Sequence, residues 1–546
     1  MRMKQTKNMK VSEYLVSELI KQGVTDAFGI PGGVILPFLY ELDKSDITPH
    51  LTYHEQTAAF AACGYAQASG KLGVAYATRG PGISNMFTAI AEAYQESIPV
   101  LFVTAHGRRG QVEGVRFSSN QELDIVCSVQ NITKNAVNVE ETDQVVPFVR
   151  EAIRKAVNGR KGPILIDVFA GLWDTEISIP EADDKAEVVK PDMAKIIAEV
   201  KEHLAVAKRP VILIGDGLRY VADKEMLLSI ADNLKTPILS SRGSQDLASG
   251  SPYYYGYVGS HGIRYSNFIL SKADLIIAVG NRMAFPHDSA SFAPILQQAQ
   301  IIRIDVDEGE LKNSIPGEIS YNLDAGVLIE RLRHTKLDKR SEWIDVCERL
   351  RNELDNEDCP EPVKGIADYI VKISNCVYVC DIGNNEFWFS RAYEKARCKD
   401  SVLMSKSFGT LGSSVGKAIG AYYATHKDIV CVAGDQGFQY NIQELQYICH
   451  NQLPIKILLL NNNCSRMIAD HENGKYGDKL IHVNKETGYS TPDFKAVAKA
   501  YGLEDRLIVL EIDENIKLTP TLPKGRACQD MEPSISRDRY NLLNSL

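Results

Sequence analysis

No run of about 18 apolar residues occurs anywhere in the 546-residue chain, so no segment has the length and apolarity of a membrane-spanning helix. The opening MRMKQTKNMK is basic, but VSEYLVSELIKQG after it carries glutamates at helical period in place of the apolar core of a signal peptide. A cytoplasmic protein without a membrane partner is expected. None of the eleven cysteines stands in a CxxC pair, and Cys376 with Cys380 is a loose spacing, so neither a disulfide framework nor a zinc site is signalled. Reduced thiols, mostly in the core, are expected instead. A surplus of positive charge is also missing: 61 Lys and Arg against 70 Asp and Glu, interspersed, give a formal charge of -9, which argues against nucleic acid as a partner. Low-complexity tracts and internal repeats are absent, and 44% hydrophobic residues are enough for several cores, which excludes a disordered or fibrous chain.

What the sequence does have is an alternation of short apolar runs with helical patterns. GVAYAT (73 to 78), PVLFVTA (99 to 105), PVILIG (210 to 215), ADLIIAVG (273 to 280), IIRIDVD (301 to 307), DIVCVAGD (428 to 435) and PIKILLLNN (454 to 462) read as buried strands of parallel α/β sheets. Charged stretches at Glu181 to Asp192 and at Lys336 to Pro362 separate three domains of similar build. The expected division is a flexible N-terminus at 1–10, domains at 11–180, 193–335 and 360–515, and a surface-wrapping tail at 516–546.

Two segments carry chemistry. In GDQGFQYNIQELQYICHNQLPIKILLLNNN, Gly434 to Asn463, one strand ends at Asp435 and the next at Asn461 and Asn462, so the polar groups reach the same edge of a parallel sheet, where α/β proteins bind ligands. A carboxylate and an amide there suit a hard cation such as magnesium whose other positions are filled by phosphate and water. The alternative is that Asp435 caps the following helix and the asparagines form a turn. In YHEQTAAFAACGYAQASGK, Glu55 heads a helix of small apolar residues, and among Thr57, Ala58, Ala59 and Ala62 its carboxyl is expected to be desolvated and able to share a proton with a ring nitrogen. Alternatively, Glu55 is a helix N-terminal acid favoured by the macrodipole.

With FGIPGG (28 to 33), HEQ (54 to 56), RGPGISN (79 to 85), QELDIV (121 to 126), ITK (132 to 134), GYVGSHGIRYSN (256 to 267), RIDVD (303 to 307) and GTLG (409 to 412) in the same order, the chain resembles the thiamine diphosphate enzymes of the acetolactate synthase family over about Val11 to Leu503. The resemblance implies three doubly wound parallel-sheet domains, pyrimidine-binding, central and diphosphate-binding. It implies a carboligase that decarboxylates pyruvate or a related 2-keto acid and adds the two-carbon unit to a second carbonyl. Glu55 would hydrogen-bond the aminopyrimidine so that the thiazolium carbon loses its proton. Leu411 would prop the cofactor in its bent form. Asp435, Asn462 and the backbone carbonyl of Cys464 would bind Mg2+, with Gly383, Asn384, Gly409 and Gly434 around the diphosphate. Gln121 and Lys134 would face the keto acid. Because the family's glutamate and diphosphate domains meet between subunits, a homodimer or homotetramer is implied.

The central domain raises the question of FAD. GDGLR, with Gly215 and Gly217, is not a full GxGxxG fingerprint, but GSHGIRYSN, with His261 and Gly262, and GNRM, with Asn281 and Arg282, resemble the flavin-binding segments of acetolactate synthases. Other members of the fold lack flavin, so FAD is left open at this point. The chain also departs from the family. Gln436 stands in place of a glycine of the diphosphate motif, where a side chain threatens a disfavoured φ. Asn120 replaces an aromatic residue, and His471 stands where branched-chain biosynthetic enzymes carry a tryptophan. The tail QDMEPSISRDRY (529 to 540) resembles members associated with surface polysaccharides and unusual sugars, whose acceptor would be a keto sugar nucleotide. A catalytically weak homologue that acts by binding partners is the contrasting reading.

Overall fold

The computed structural model describes residues 7–107, 119–180, 193–284, 292–338, 340–477 and 479–546. Three all-parallel sheets are built from strands that read as continuous apolar runs, as strands covered on both faces must. The first sheet runs in the order Thr48–Leu51, Asp26–Gly29, Gly73–Tyr76, Val100–His106, Ile164–Phe169 and Asn135–Val139. The second runs Tyr254–Tyr257, Ile238–Ser240, Pro210–Ile214, Leu275–Val279, Gln300–Asp305 and Ile319–Asn322. The third runs Ser401–Met404, Cys376–Cys380, Asp428–Gly434, Ile455–Asn461 and Leu507–Glu511. The expected fold class of three α/β domains is borne out, and each of the seven apolar runs singled out in the sequence contains a strand.

The second and third sheets each reverse their strand order once. In the third sheet the order within the domain is 2-1-3-4-5, so the reversal lies between Cys376–Cys380 and Asp428–Gly434. In the second it is 3-2-1-4-5-6, between Pro210–Ile214 and Leu275–Val279. At such a point the connections leave in opposite directions and open a crevice at the carboxyl ends of the strands. Those two crevices hold the chain's candidate sites.

The first and third domains share one core, in which Phe28, Phe102 and Ile83 lie in the same apolar cluster as Val379, Ile429 and Phe438. Its centre is the crossing of helix Glu55–Ser69 over helix Ser414–Thr425. A Cβ on Gly64 would stand 2.2 Å from the carbonyl oxygen of Lys417, and one on Gly420 1.8 Å from that of Ala61, so the two backbones touch. The small residues after Glu55 are therefore a packing face. A fully buried Lys417–Glu92 ion pair closes the same seam.

Three boundaries differ from the sequence expectation. Lys7–Lys10 form a strand antiparallel to Glu176–Ile179, so residues 7–10 are ordered within the first domain. The charged stretch after Lys336 contains helix Ser341–Leu354, which buries Trp343, Cys347, Leu350 and Leu354 against the central domain and so belongs to it. In the tail, Cys528 and Leu543 enter the central core, Met531 is buried, and the Arg264 guanidinium donates to the carbonyls of Met531 (2.9 Å) and Pro533 (2.8 Å). The linker expected at Glu181 to Asp192 lies outside the described residues. Among the described residues no helix is long and apolar enough to cross a membrane. All eleven cysteines are free, and most are buried.

Candidate active site

The crevice of the third domain is built from three strand ends. Strand Cys376–Cys380 leads into Asp381 and then Gly383, whose φ of +119° suits a residue without Cβ and which forms the N-cap of helix Asn384–Lys395. Asn384 follows, buried, with its side-chain NH2 lacking a partner. A helix N-terminus with spare amide donors is a ready anion site. Across the reversal, strand Asp428–Gly434 delivers Asp435, and the next strand delivers Asn462.

Asp435, Asn462 and Cys464 converge. One end of the Asn462 side-chain amide lies 3.2 Å from Asp435 Oδ2 and 2.8 Å from the carbonyl oxygen of Cys464. The amide nitrogen there donates to both oxygens; turned over, the same amide presents its oxygen beside them, and a carboxylate, an amide oxygen and a backbone carbonyl make a donor set that suits magnesium. Tyr489 Oη donates to the other carboxylate oxygen of Asp435 at 2.8 Å, and Asn462 N–H donates to Oδ2 at 3.2 Å. Burial pushes the Asp435 carboxyl above the usual aspartate range, against the pull of those hydrogen bonds, so a bound cation would offset an unfavourable charge. Among the described residues no three His, Cys, Asp or Glu side chains gather as a metal site. The set here is one carboxylate, one amide and one backbone carbonyl. Gln436 lies in helix Asp435–Gln439 and is not among the residues with positive φ, so the strain feared in the sequence does not arise.

The wall of the crevice is the segment after strand Ser401–Met404. Gly409 and Gly412 have φ of +70° and +85°, and Leu411 between them packs its side chain toward Gly437. Asp381 ties this wall down: Gly412 N–H donates to Oδ1 (2.8 Å), while Ser414 N–H (3.1 Å) and Oγ (2.7 Å) donate to Oδ2.

Glu55 opens its helix on the first domain, where its Oε2 accepts from Asn85 Nδ2 at 2.9 Å. Its carboxyl is half-buried within one chain, short of the full desolvation expected, because the small residues beside it face the helix crossing. The start of the helix is pinned to the third domain. Tyr53 N–H donates to Glu444 Oε1 at 3.0 Å and Thr57 Oγ1 to Asn441 Oδ1 at 2.8 Å. Glu444 is buried and pushed up to about 7 by desolvation, a residue that sequence reading missed. Gln121, exposed and at φ +56°, lies against Gly80 on the turn that carries Asn85. The structure brings Gln121 beside that turn. Lys134 it does not. The Lys134 ammonium is turned inward and donates to the carbonyls of Lys155, Asn158 and Arg160 at the end of helix Thr142–Val157, with burial pushing it down to about 8. Its expected place facing a keto acid is corrected: a cation at a helix C-terminus satisfies carbonyls that have no partner within the helix.

In the central domain, the crevice at the strand reversal is a cavity of about 440 Å³. Gly215, Gly217, Asn281 and Arg282 line it, and Gly215 and Gly217 press backbone to backbone on Gly280. Tyr220 also lines it, with a buried hydroxyl that has no partner. His261 and Gly262 do not line it. Val258, Gly259 and Ser260 of the same stretch do line it, while the His261 ring lies 4.5 Å from that of Phe387 in the third domain and the His261 carbonyl accepts from Arg391. Burial pushes the His261 imidazole down to about 4, so it stays neutral. The sequence expectation names His261 and Gly262 for flavin, whereas the residues of this stretch that line the cavity are their neighbours Val258, Gly259 and Ser260.

This architecture has counterparts among known proteins. Family models described as the N-terminal TPP binding, central and C-terminal TPP binding domains of thiamine pyrophosphate enzymes match residues 9–129, 197–332 and 381–531. The chain belongs to the thiamine pyrophosphate enzymes. The probable acetolactate synthase large subunit of Methanocaldococcus jannaschii is 32% identical over 540 residues, 93% of this chain and 89% of that protein. The acetolactate synthase isozyme 2 large subunit of Escherichia coli is 29% identical, over 97% of this chain and 100% of its own length. The chloroplastic acetolactate synthase 2 of Zea mays is 30% identical, over 90% and 80%. As a thiamine pyrophosphate enzyme, the chain carries its family resemblance along nearly its whole length, as the sequence reading expected.

Proposed function

We propose that this enzyme decarboxylates pyruvate or a related 2-keto acid and joins the two-carbon unit to a second carbonyl, as a carboligase of the acetolactate synthase kind. One observation carries the reading: Asp435, Asn462 and the Cys464 carbonyl converge at the strand reversal of the third domain, beside the helix that starts at Asn384. Thiamine diphosphate, when bound, supplies a nucleophilic thiazolium carbon and a cationic ring that takes up the electron pair left when carbon dioxide departs. Asp435, Asn462 and the Cys464 carbonyl would hold Mg2+. Gly383, Asn384 and Gly434 would receive the diphosphate. Leu411, with Gly409 before it, would support the cofactor from below, and Gln121 would face the keto acid. Glu55 would exchange a proton with the pyrimidine ring. A homodimer or homotetramer, in which one copy's Glu55 serves its partner's third domain, belongs to the same reading. The test is product analysis with isotopically labelled pyruvate, thiamine diphosphate and Mg2+: labelled carbon dioxide and a carboligation product are expected, and no turnover would leave the reading without support.

FAD is proposed for the central cavity, supported by the glycine-lined backbone at Gly215, Gly217 and Gly280, by Asn281 and Arg282, and by the unpartnered Tyr220 hydroxyl. The purified protein is expected to be yellow, with flavin absorbance released on denaturation. A colourless preparation that takes up no flavin on incubation would assign the cavity to another ligand.

The acceptor is the less usual part of the reading. His471, on helix Arg466–Tyr476, and Asn120 are both exposed, and at these positions two large apolar groups of the family are replaced by hydrogen-bonding ones. One methylene in an apolar pocket discriminates by only about 1 to 3 kcal/mol, whereas unpaired polar groups reject an acceptor far more strongly. A preference for 2-ketobutyrate over pyruvate below about tenfold is expected in direct competition, and a keto sugar nucleotide is expected to compete as acceptor. A larger preference for 2-ketobutyrate would return the protein to branched-chain chemistry.

A further inference from the structure

The segment that carries Leu411 is held by acids from outside it. The N–H groups of Lys406 and Phe408 donate to a single oxygen, Glu96 Oε1, at 2.9 and 2.8 Å, and the Ser407 N–H between them donates to the same atom. Farther along, Gly409 and Thr410 N–H donate to Ser405 Oγ, and Gly412 N–H donates to Asp381. Glu96 belongs to the first domain, 310 residues from Lys406, and is buried.

By local rules Glu96 is misplaced. It is the C-cap of helix Phe87–Gln95, where the helix presents the negative end of its dipole and an acid is disfavoured. A buried carboxylate there needs donors, and three consecutive amides supply them as charge-assisted hydrogen bonds, about twice as strong as neutral ones. The far side of the same segment meets the central cavity, where Lys406 Nζ pairs with Asp216 and Arg282 donates to Ser407 Oγ at 3.2 Å. All three domains thus grip the residues just before Leu411.

We propose that Glu96 is a positioning residue of this enzyme, fixing the backbone of Lys406–Phe408 and so setting where Leu411 stands beneath the cofactor. The inference rests on the reading of Leu411 as the residue that props thiamine diphosphate. A displacement of about 1 Å, caused far from the chemistry, can cost about a hundredfold in rate. Glu96, which also lines the central cavity, would therefore act on the reacting geometry without touching thiamine diphosphate or the keto acid.

The test compares Glu96→Ala and Glu96→Gln with the wild type by two measurements. The first is backbone hydrogen exchange of the 405–412 segment in cofactor-free protein. The second is exchange of the thiazolium C2 proton in protein saturated with thiamine diphosphate and Mg2+. In Glu96→Ala the 406–408 amides are expected to exchange at least about tenfold faster, as a locally opened segment does, and C2 proton exchange is expected to slow by about tenfold or more. Glu96→Gln, which keeps the shape and an acceptor oxygen, should fall between, and it decides the matter if the alanine variant fails to fold. A merely structural role would lower the melting temperature and leave C2 proton exchange at saturation unchanged. Wild-type protection of the 406–408 amides in the variants would overturn the inference. So would freed amides with an unchanged C2 rate. A wild-type protein that never loads thiamine diphosphate would overturn both this inference and the functional reading, and is told apart because it shows without any substitution.

Discussion

Asp435→Ala is expected to weaken magnesium-dependent binding of thiamine diphosphate by more than about a hundredfold, since even partners one shell beyond a metal's ligands are worth about 10 to 100-fold. The reason is the composition of the cluster. Asp435 is its one charged member, and the Asn462 amide and Cys464 carbonyl are neutral. Magnesium sheds water reluctantly, so two neutral oxygens and the diphosphate are a poor substitute for a site with a carboxylate. Tyr489→Phe provides the graded control. It removes the hydroxyl that orients Asp435 Oδ1 and leaves every proposed ligand in place, so a loss of about tenfold is expected. Calorimetric titration with cofactor at fixed Mg2+ checks both. An unchanged affinity in Asp435→Ala would remove the cluster from the proposed site, and a larger loss in Tyr489→Phe than in Asp435→Ala would mean that Tyr489 itself touches the ligand.

The contrast between these two residues shows what was legible in the sequence. Asp435 and Asn462 stand at the ends of apolar runs whose length and β-branched content declare buried strands, and a strand end fixes the direction of the residue that follows it. Gly383 was legible through the family resemblance, and the structure supplies the physical reason in its φ of +119°. Tyr489 comes from a loop with no periodicity, 54 residues beyond Asp435, and nothing local marks it. The same holds for Glu96, whose one sequence signal is negative, an acid at the wrong end of a helix. Lys134 and His261 show the opposite error. Each sits in a motif that resembles the family, but a motif gives no side-chain direction: one ammonium turned to a helix terminus and one ring turned to Phe387. The charged stretch after Lys336 reads as helical in the sequence, but its charge makes it read as a separator and hides where it packs. Trp343, Cys347, Leu350 and Leu354 recur at helical spacing within it and bury one face.

Glu55→Gln is expected to lower turnover of pyruvate by at least about a hundredfold, the range typical of a positioned acid or base. The substitution isolates the proton from the scaffold. A glutamine side chain has the same length, and its amide oxygen can still accept from Asn85 Nδ2, which now bonds Glu55 Oε2 at 2.9 Å. The His54 cap, the Tyr53 and Thr57 links to the third domain and the helix crossing at Gly64 and Gly420 do not involve the carboxylate. The cost to stability is then the loss of one favourable charge at a helix N-terminus, about 0.3 to 1 kcal/mol, too small to unfold a domain that shares its core with another. An amide, however, cannot give a proton to a ring nitrogen and take it back. The signature is a protein with near wild-type melting temperature and cofactor affinity, and with slowed exchange of the thiazolium C2 proton. Near-normal turnover in Glu55→Gln would take Glu55 out of the chemistry and leave it as a helix-terminal acid.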